Sequence, residues 1–177
     1  ANPQNFAEKV KKVLSQTELN LVLISEDTEA MKQAVAAAKE RRPLIYAATK
    51  DNIESMAQIA KENSLPLAVK SDNLDGLVEL AEKATSLGVE DLVLDSGSKG
   101  LLEKMDDLTQ IRRLALKKSF RPLGYPTIAL TTSTDPYQEI AEAATYIAKY
   151  AGIVIIKGTE PQEVLPLLTV RPLSSTV

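Results

Sequence analysis

Short, continuously apolar runs alternate along the chain with stretches whose apolar residues recur every three or four positions. The runs are Leu21–Ile24, Leu44–Ala47, Leu67–Val69, Leu92–Leu94, Thr127–Thr131 and Ile153–Ile156. Their first residues, 21, 44, 67, 92, 127 and 153, are 23, 23, 25, 35 and 26 positions apart. Strands alternating with helices at that pitch predict βα units that build a parallel sheet. The runs at 21–24 and 153–156 are apolar throughout rather than alternating, the composition of strands buried on both faces beneath helix layers. One further helix, Pro3–Ser15, precedes the first run.

A closed (β/α)8 barrel takes eight such units. Six units after a lone helix predict an α/β, TIM-type barrel that is partial, with parallel strands. Residues 1–177 are expected to form a single barrel-like domain, a fragment of a longer subunit that opens as if the preceding strand had been cut away. The segment 171–177 reads as a loose tail. A partial barrel exposes Leu21–Ile24 and Ile153–Ile156 as edges. Neither carries a proline or a charge, and unprotected edges pair with another chain. Self-association, or pairing with a missing segment or a partner subunit, is therefore expected.

Helix starts carry caps. Asn2 precedes Pro3, Asp51 precedes Glu54 by three, Asp135-Pro136-Tyr137-Gln138 combines a cap with a first-turn proline, and Thr159 precedes Gln162 by three. Between 101 and 118, Leu101, Met105, Leu108, Ile111 and Ala115 form one apolar stripe. Arg112, Arg113, Lys117 and Lys118 crowd its last turns, where positive charge suits the helix dipole.

Composition narrows the chemistry more than it narrows the fold. With 21 Lys and Arg against 24 Asp and Glu, the net charge is -3. No basic face stands out in the sequence, so nucleic acid and anionic membrane are not expected partners. No apolar run approaches a membrane span and no secretory signal is visible, so a cytoplasmic location is expected. The chain has no Cys, no His and no Trp. It therefore has no thiolate for an iron–sulfur cluster or a nucleophile, and no imidazole for a base, a zinc site or an axial corrinoid bond.

In parallel α/β folds, sites gather at the C-terminal ends of strands. The candidates there are Thr49, Lys50, Asn52, Lys70, Asp95, Thr131 and Lys157. Lys50, Lys70 and Lys157 could converge on an anion, and Asp95 or Glu26 could act as a base. The competing reading makes these residues solvated loop charges and helix caps. Asp95-Ser96-Gly97-Ser98-Lys99-Gly100 resembles a phosphate-binding loop but lacks the spacing, and reads instead as a flexible connection. No catalytic residue and no metal ligand is assigned.

Five stretches resemble one family: Arg42–Asn52, Gly88–Asp95, Ile111–Lys118 continuing through Phe120–Pro126, Ile147–Ala151 and Leu165–Arg171. Together they are similar to the large (gamma) subunit of the corrinoid iron–sulfur protein of the acetyl-CoA synthase/decarbonylase (CO dehydrogenase) system. The resemblance implies a three-part parent: an N-terminal [4Fe–4S] domain, a central TIM-type barrel and a C-terminal corrinoid (cobalamin) domain. This chain would match the barrel alone. It departs from the family at 96–100, where a longer loop with proline and glycine is usual.

The implied function is a scaffold and subunit-docking barrel of an anaerobic methyl carrier in one-carbon metabolism, serving acetyl-CoA synthesis or cleavage (the Wood–Ljungdahl pathway). It would lack redox and corrinoid ligands of its own and would be non-catalytic alone. The implied partners are the small subunit of the same protein, a pterin methyltransferase and acetyl-CoA synthase. The alternative is a methyl-pterin-binding, methyltransferase-type barrel that contributes to methyl transfer.

Overall fold

The computed structural model describes residues 2–97 and 100–174. Six strands alternate with helices in the expected order: α1 (Pro3–Leu14), β1 (Val22–Ile24), α2 (Thr28–Ala38), β2 (Leu44–Ala48), α3 (Ile53–Asn63), β3 (Leu67–Lys70), α4 (Leu74–Ser86), β4 (Leu92–Asp95), α5 (Leu101–Lys117), β5 (Ile128–Leu130), α6 (Pro136–Ala148), β6 (Ile153–Ile155) and α7 (Pro161–Ser174). The strands order β1-β2-β3-β4 in one sheet and β5-β6 in another. A parallel bridge, Leu94 to Thr127, links the end of β4 to the residue before β5. The β1–β2, β2–β3 and β5–β6 pairings are all parallel. The partial TIM-barrel-like fold class read from the spacing is thus the one observed.

The chain divides into two compact units, Ala1–Lys70 with Glu79–Val93, and Ser71–Val78 with Leu94–Val177. The first is apolar and rich in alanine inside. α2 buries Ala30, Met31, Ala34, Val35 and Ala38, and α3 buries Ile53, Met56, Ala57, Ile59 and Ala60. Small residues on α3 allow close approach to β2, whose five residues are all buried. In the second unit Leu108, Ala129 and Tyr146 form the central cluster, with Ala151 and Val154 packed against it.

Both end strands depart from the expected two-sided burial. In β1 only Leu23 is buried, and Ile24 is 48% exposed. β6 is only partly buried throughout. Each has one hydrogen-bonded neighbour among the described residues. A strand at the end of a sheet loses cover from one side whatever its composition, and apolar runs alone do not reveal which strands end the order.

Caps follow the sequence in part. The Asn2 side chain accepts from the Gln4 N–H at 3.0 Å, and Asp135 accepts from the Gln138 N–H at 2.9 Å. Asp51 does not cap: α3 starts after Asn52, which makes no capping bond. The last helix starts at Pro161 rather than after Thr159, and the Glu163 carboxylate accepts from the Glu160 N–H at 2.9 Å. The capping-box logic holds there, displaced by one residue, because a proline favours the first helical position. This helix includes 171–174, and 175–177 lie outside the described residues.

Leu67 in β3 is fully buried whereas Leu19 is 75% exposed. Leu67→Ala is expected to lower the unfolding free energy by about 2–5 kcal/mol, through lost transfer energy plus the cavity left behind. Leu19→Ala should change it by less than about 0.5 kcal/mol. Urea denaturation of both variants checks the assignment of the core.

Candidate functional site

Burial of polar groups is uneven between the units. Among the described residues, the buried polar and charged side chains are Asp95, Ser96, Lys104, Asp107, Thr127, Thr131, Glu139 and Glu142, all within the second unit. Apart from Thr127 they belong to the ends of β4 and β5 or to the helices that follow. A charge is buried only where a partner compensates its lost hydration. The partners here identify a constructed polar centre.

At the end of β4, Asp95 and Lys104 are each 2% exposed. Lys104 Nζ donates to Asp95 Oδ1 at 2.6 Å and to the Gly97 carbonyl at 3.0 Å, and the Gly97 N–H donates back to Asp95 Oδ1 at 3.0 Å. The ammonium thus ties the strand end to the first turn of α5. Gly97 has φ +83, a conformation that favours glycine, and a Cβ there would come within 2.6 Å of Asp72 Oδ1 and displace that side chain. Beside it the Ser96 hydroxyl is buried and has no hydrogen-bond partner among the described residues. The expected flexible phosphate-loop lookalike is therefore, over 95–97, a buried and cross-linked strand end. Ser98 and Lys99 lie outside the described residues.

The second cluster is on α6. Glu139 accepts from Thr131 Oγ1 at 2.5 Å and from the N–H groups of Lys157 and Gly158 at 3.0 Å each. Glu142, one turn on, accepts from the Thr132 N–H at 3.0 Å, the Ser133 N–H at 3.0 Å and Tyr146 Oη at 2.6 Å. Burial alone would raise both carboxyl pKa values. Charge-assisted hydrogen bonds outweigh it and hold both below the ordinary value near 4.5. Tyr146 moves oppositely: burial and then the Glu142 carboxylate push its phenol well above the usual range.

The remaining candidates separate by role. Thr131 is buried and bonded to Glu139, with a second bond to the Ile155 carbonyl at 3.2 Å. Lys157 is exposed, and its Nζ donates to the carbonyls of Thr132 at 3.3 Å and Ser133 at 2.9 Å, reinforcing the same loop. In the first unit, Asn52 Oδ1 accepts from the Thr49 N–H at 2.7 Å, and Asn52 Nδ2 donates to the Glu26 carbonyl at 3.2 Å. Thr49 and Asn52 therefore clasp two strand-end loops together. Lys50 and Glu26 are exposed and Lys70 is partly buried. Asp95 is a carboxylate neutralised by a lysine, not a base open to substrate.

Four residues of the centre escaped the strand-end search because they lie on helices. Lys104 and Asp107 share a phase with Leu108 and Ile111, and Glu139 and Glu142 with Ala143 and Tyr146. Charged residues in step with an apolar stripe were the available signal.

The parallel, alternating architecture places the chain in the class of TIM-barrel-like α/β proteins. The solved structure of Mycobacterium tuberculosis Rv1207 matches it with a TM-score of 0.70 at 15% sequence identity, covering 99% of this chain and 77% of that one. Within that class the chain belongs to the CO dehydrogenase/acetyl-CoA synthase delta subunit family, whose model matches residues 1–175. It is 45% identical over 170 residues to the corrinoid/iron-sulfur protein large subunit of Moorella thermoacetica, covering 96% of this chain and 38% of that protein. It is 34% identical over 183 residues to the acetyl-CoA decarbonylase/synthase complex subunit gamma of Methanothermobacter thermautotrophicus, covering 96% and 40% respectively. The large-subunit resemblance read from the sequence is borne out, and the chain spans about two-fifths of the length of these curated relatives.

Lys104→Met leaves Asp95 buried without its cation and is expected to cost about 3–5 kcal/mol, while the double variant Asp95→Asn/Lys104→Met recovers part of the loss. A urea double-mutant cycle reads this directly. The α6 clamp has a pH signature. Because the folded carboxyl values lie below the unfolded one, the stabilisation is fully present above about pH 4.5 and is lost as pH falls through the folded values. Glu142→Gln should destabilise by about 1–3 kcal/mol at neutral pH. Its deficit against the wild type should shrink as pH falls through the lowered folded value of Glu142, where that carboxylate is itself protonated.

Proposed function

We propose that this chain is a scaffold and subunit-docking barrel within a corrinoid iron–sulfur methyl-carrier protein of acetyl-CoA synthesis or cleavage, and performs no redox or methyl-transfer step alone. The observation that carries the reading is the family match across residues 1–175 by a chain with no Cys and no His. An iron–sulfur cluster needs thiolates, and an imidazole-ligated corrinoid needs histidine. The residues present do not fit either group. Among the described residues no cluster of three or more His, Cys, Asp or Glu is placed to hold a metal ion. Cluster and corrinoid would belong to other parts of the longer protein, and the barrel would hold those parts and the small subunit in register. No helix among the described residues is long and apolar enough to cross a membrane.

A methyl-pterin-binding barrel is the second reading. It is favoured by the unpartnered, buried Ser96 hydroxyl beside Asp95 at a strand end. Such a hydroxyl is a group that a polar ligand or a water satisfies.

Gel filtration of the chain after incubation with iron, sulfide and a corrinoid should leave no visible absorption with the protein, and the chain should co-elute with the small subunit. Retention of one equivalent of either cofactor would overturn the scaffold reading. Saturable micromolar binding of a methyl-pterin, abolished by Ser96→Ala, would replace it with the second.

A further inference from the structure

Five cations gather at the end of α5 and just beyond it: Arg112, Arg113, Lys117, Lys118 and Arg121, all exposed. The chain carries no Asp or Glu between Asp107 and Asp135. The ion pairs described, Arg42–Asp91, Lys83–Glu54 and Lys104–Asp95, involve none of the five. The helix dipole favours cations in the last turn only, which covers Lys117 and Lys118 but not Arg112, Arg113 or Arg121. In a chain of net charge -3 this is a local reversal of sign. Three of the five, Arg113, Lys117 and Lys118, line one cleft together and form a basic face that the balanced composition conceals.

Two clefts border that face. The larger, of about 370 Å³, has Leu108, Ile111 and Leu123 among its lining, with Leu116 and Tyr150 at 64% and 45% exposure. Tyr150 has φ 72, a region that aromatic residues rarely adopt. The Arg112 guanidinium lies 4.6 Å above the Tyr150 ring. That φ belongs to the turn that ends α6, where Tyr150 N–H donates to the Ile147 carbonyl at 3.1 Å and Ala151 N–H to the Tyr146 carbonyl at 3.0 Å, and the stacked cation holds the ring at this cleft. The second cleft, of about 300 Å³, is lined by Asp106, Gln110, Arg113, Leu114, Lys117 and Lys118. Its one acid, Asp106, accepts from Gln110 Nε2 at 2.6 Å.

The geometry points to α5 as the docking surface for an acidic polypeptide segment carrying one large apolar side chain. Its carboxylates meet Arg113, Lys117 and Lys118, and its apolar side chain fills the cleft at Leu116 and Tyr150. Charge complementarity selects an anionic partner and the apolar floor selects a protein one. A nucleic acid would need aromatic platforms for successive bases, and this cleft offers only Tyr125 and Tyr150 beside an aliphatic floor. The inference deepens the docking role proposed above. It rests on that role for the existence of a partner, and not for the position of the surface.

The test uses the chain, its Arg113→Glu/Lys117→Glu and Leu116→Asp variants, and a short fluorescein-labelled peptide of glutamates and aspartates with one central leucine. Circular dichroism checks that both variants fold. Saturable binding is expected, weakened about tenfold by the charge reversal and about fivefold by Leu116→Asp or by replacing the peptide's leucine with serine. Equal binding of the leucine-free peptide, or equal binding by the charge-reversed chain, would overturn the proposal. So would tighter binding of a single-stranded oligonucleotide of matching charge. Co-elution with the small subunit separates this surface from the docking role itself. If wild type assembles and the charge-reversed chain does not, the surface is supported. If both assemble equally, the surface is rejected and the docking role stands. If neither assembles, the docking role fails and the peptide titration alone decides the surface.

Discussion

Backbone N–H groups at strand ends have left the ladder and must find acceptors, or they cost about as much as a lost hydrogen bond each. In the second unit two helix carboxylates meet that demand. Glu139 and Glu142 together receive the N–H groups of Thr132, Ser133, Lys157 and Gly158, and the hydroxyls of Thr131 and Tyr146. The loops after β5 and β6 take their conformations from this arrangement. Lys157 then closes over the same loop through two carbonyls. With Lys104 doing the corresponding work at the end of β4, the strand ends of this unit are fixed by charged groups rather than by loop sequence.

That design favours rigid strand ends. A buried carboxylate that accepts several donors is a weaker base than a free one, and a lysine held between a carboxylate and a carbonyl is a weaker nucleophile than a free amine. The polar centre therefore looks costly only if it is read as an unfinished active site. As a brace it is economical: several loops are held by side chains already present on α5 and α6. Rigid strand ends are consistent with the scaffold role proposed for this chain. The exposed cations of α5 are the surface proposed for docking.

The first unit reaches the same end differently. Its core is built from alanine, methionine, Tyr46 and β-branched or leucine side chains, and none of its described charged, amide, serine or threonine side chains is buried. Its loop clasp, made by Asn52 with Thr49 and Glu26, uses a neutral amide at the surface. Neutral surface bonds add little net stability, so this unit depends on packing where the other depends on compensated charge.

Alternation of apolar runs with amphipathic stretches determined the order of elements, the parallel pairing and the helix starts at Asn2 and Asp135, because burial periodicity and capping are local properties of sequence. The absence of Cys and His equally removed thiolate and imidazole from the donors the chain can offer, since donor chemistry does not depend on fold. The partners of Asp95 and Thr131 were beyond that reach. Lys104 lies nine positions from Asp95, Glu139 eight from Thr131, and only the packing of helix against strand end turns those separations into hydrogen bonds. The uneven burial of β1 and β6, despite compositions like those of interior strands, also depended on which neighbours each strand acquired. So did the basic face of α5: single charges are visible in the sequence, but a surface exists only once the fold decides which of them remain exposed together.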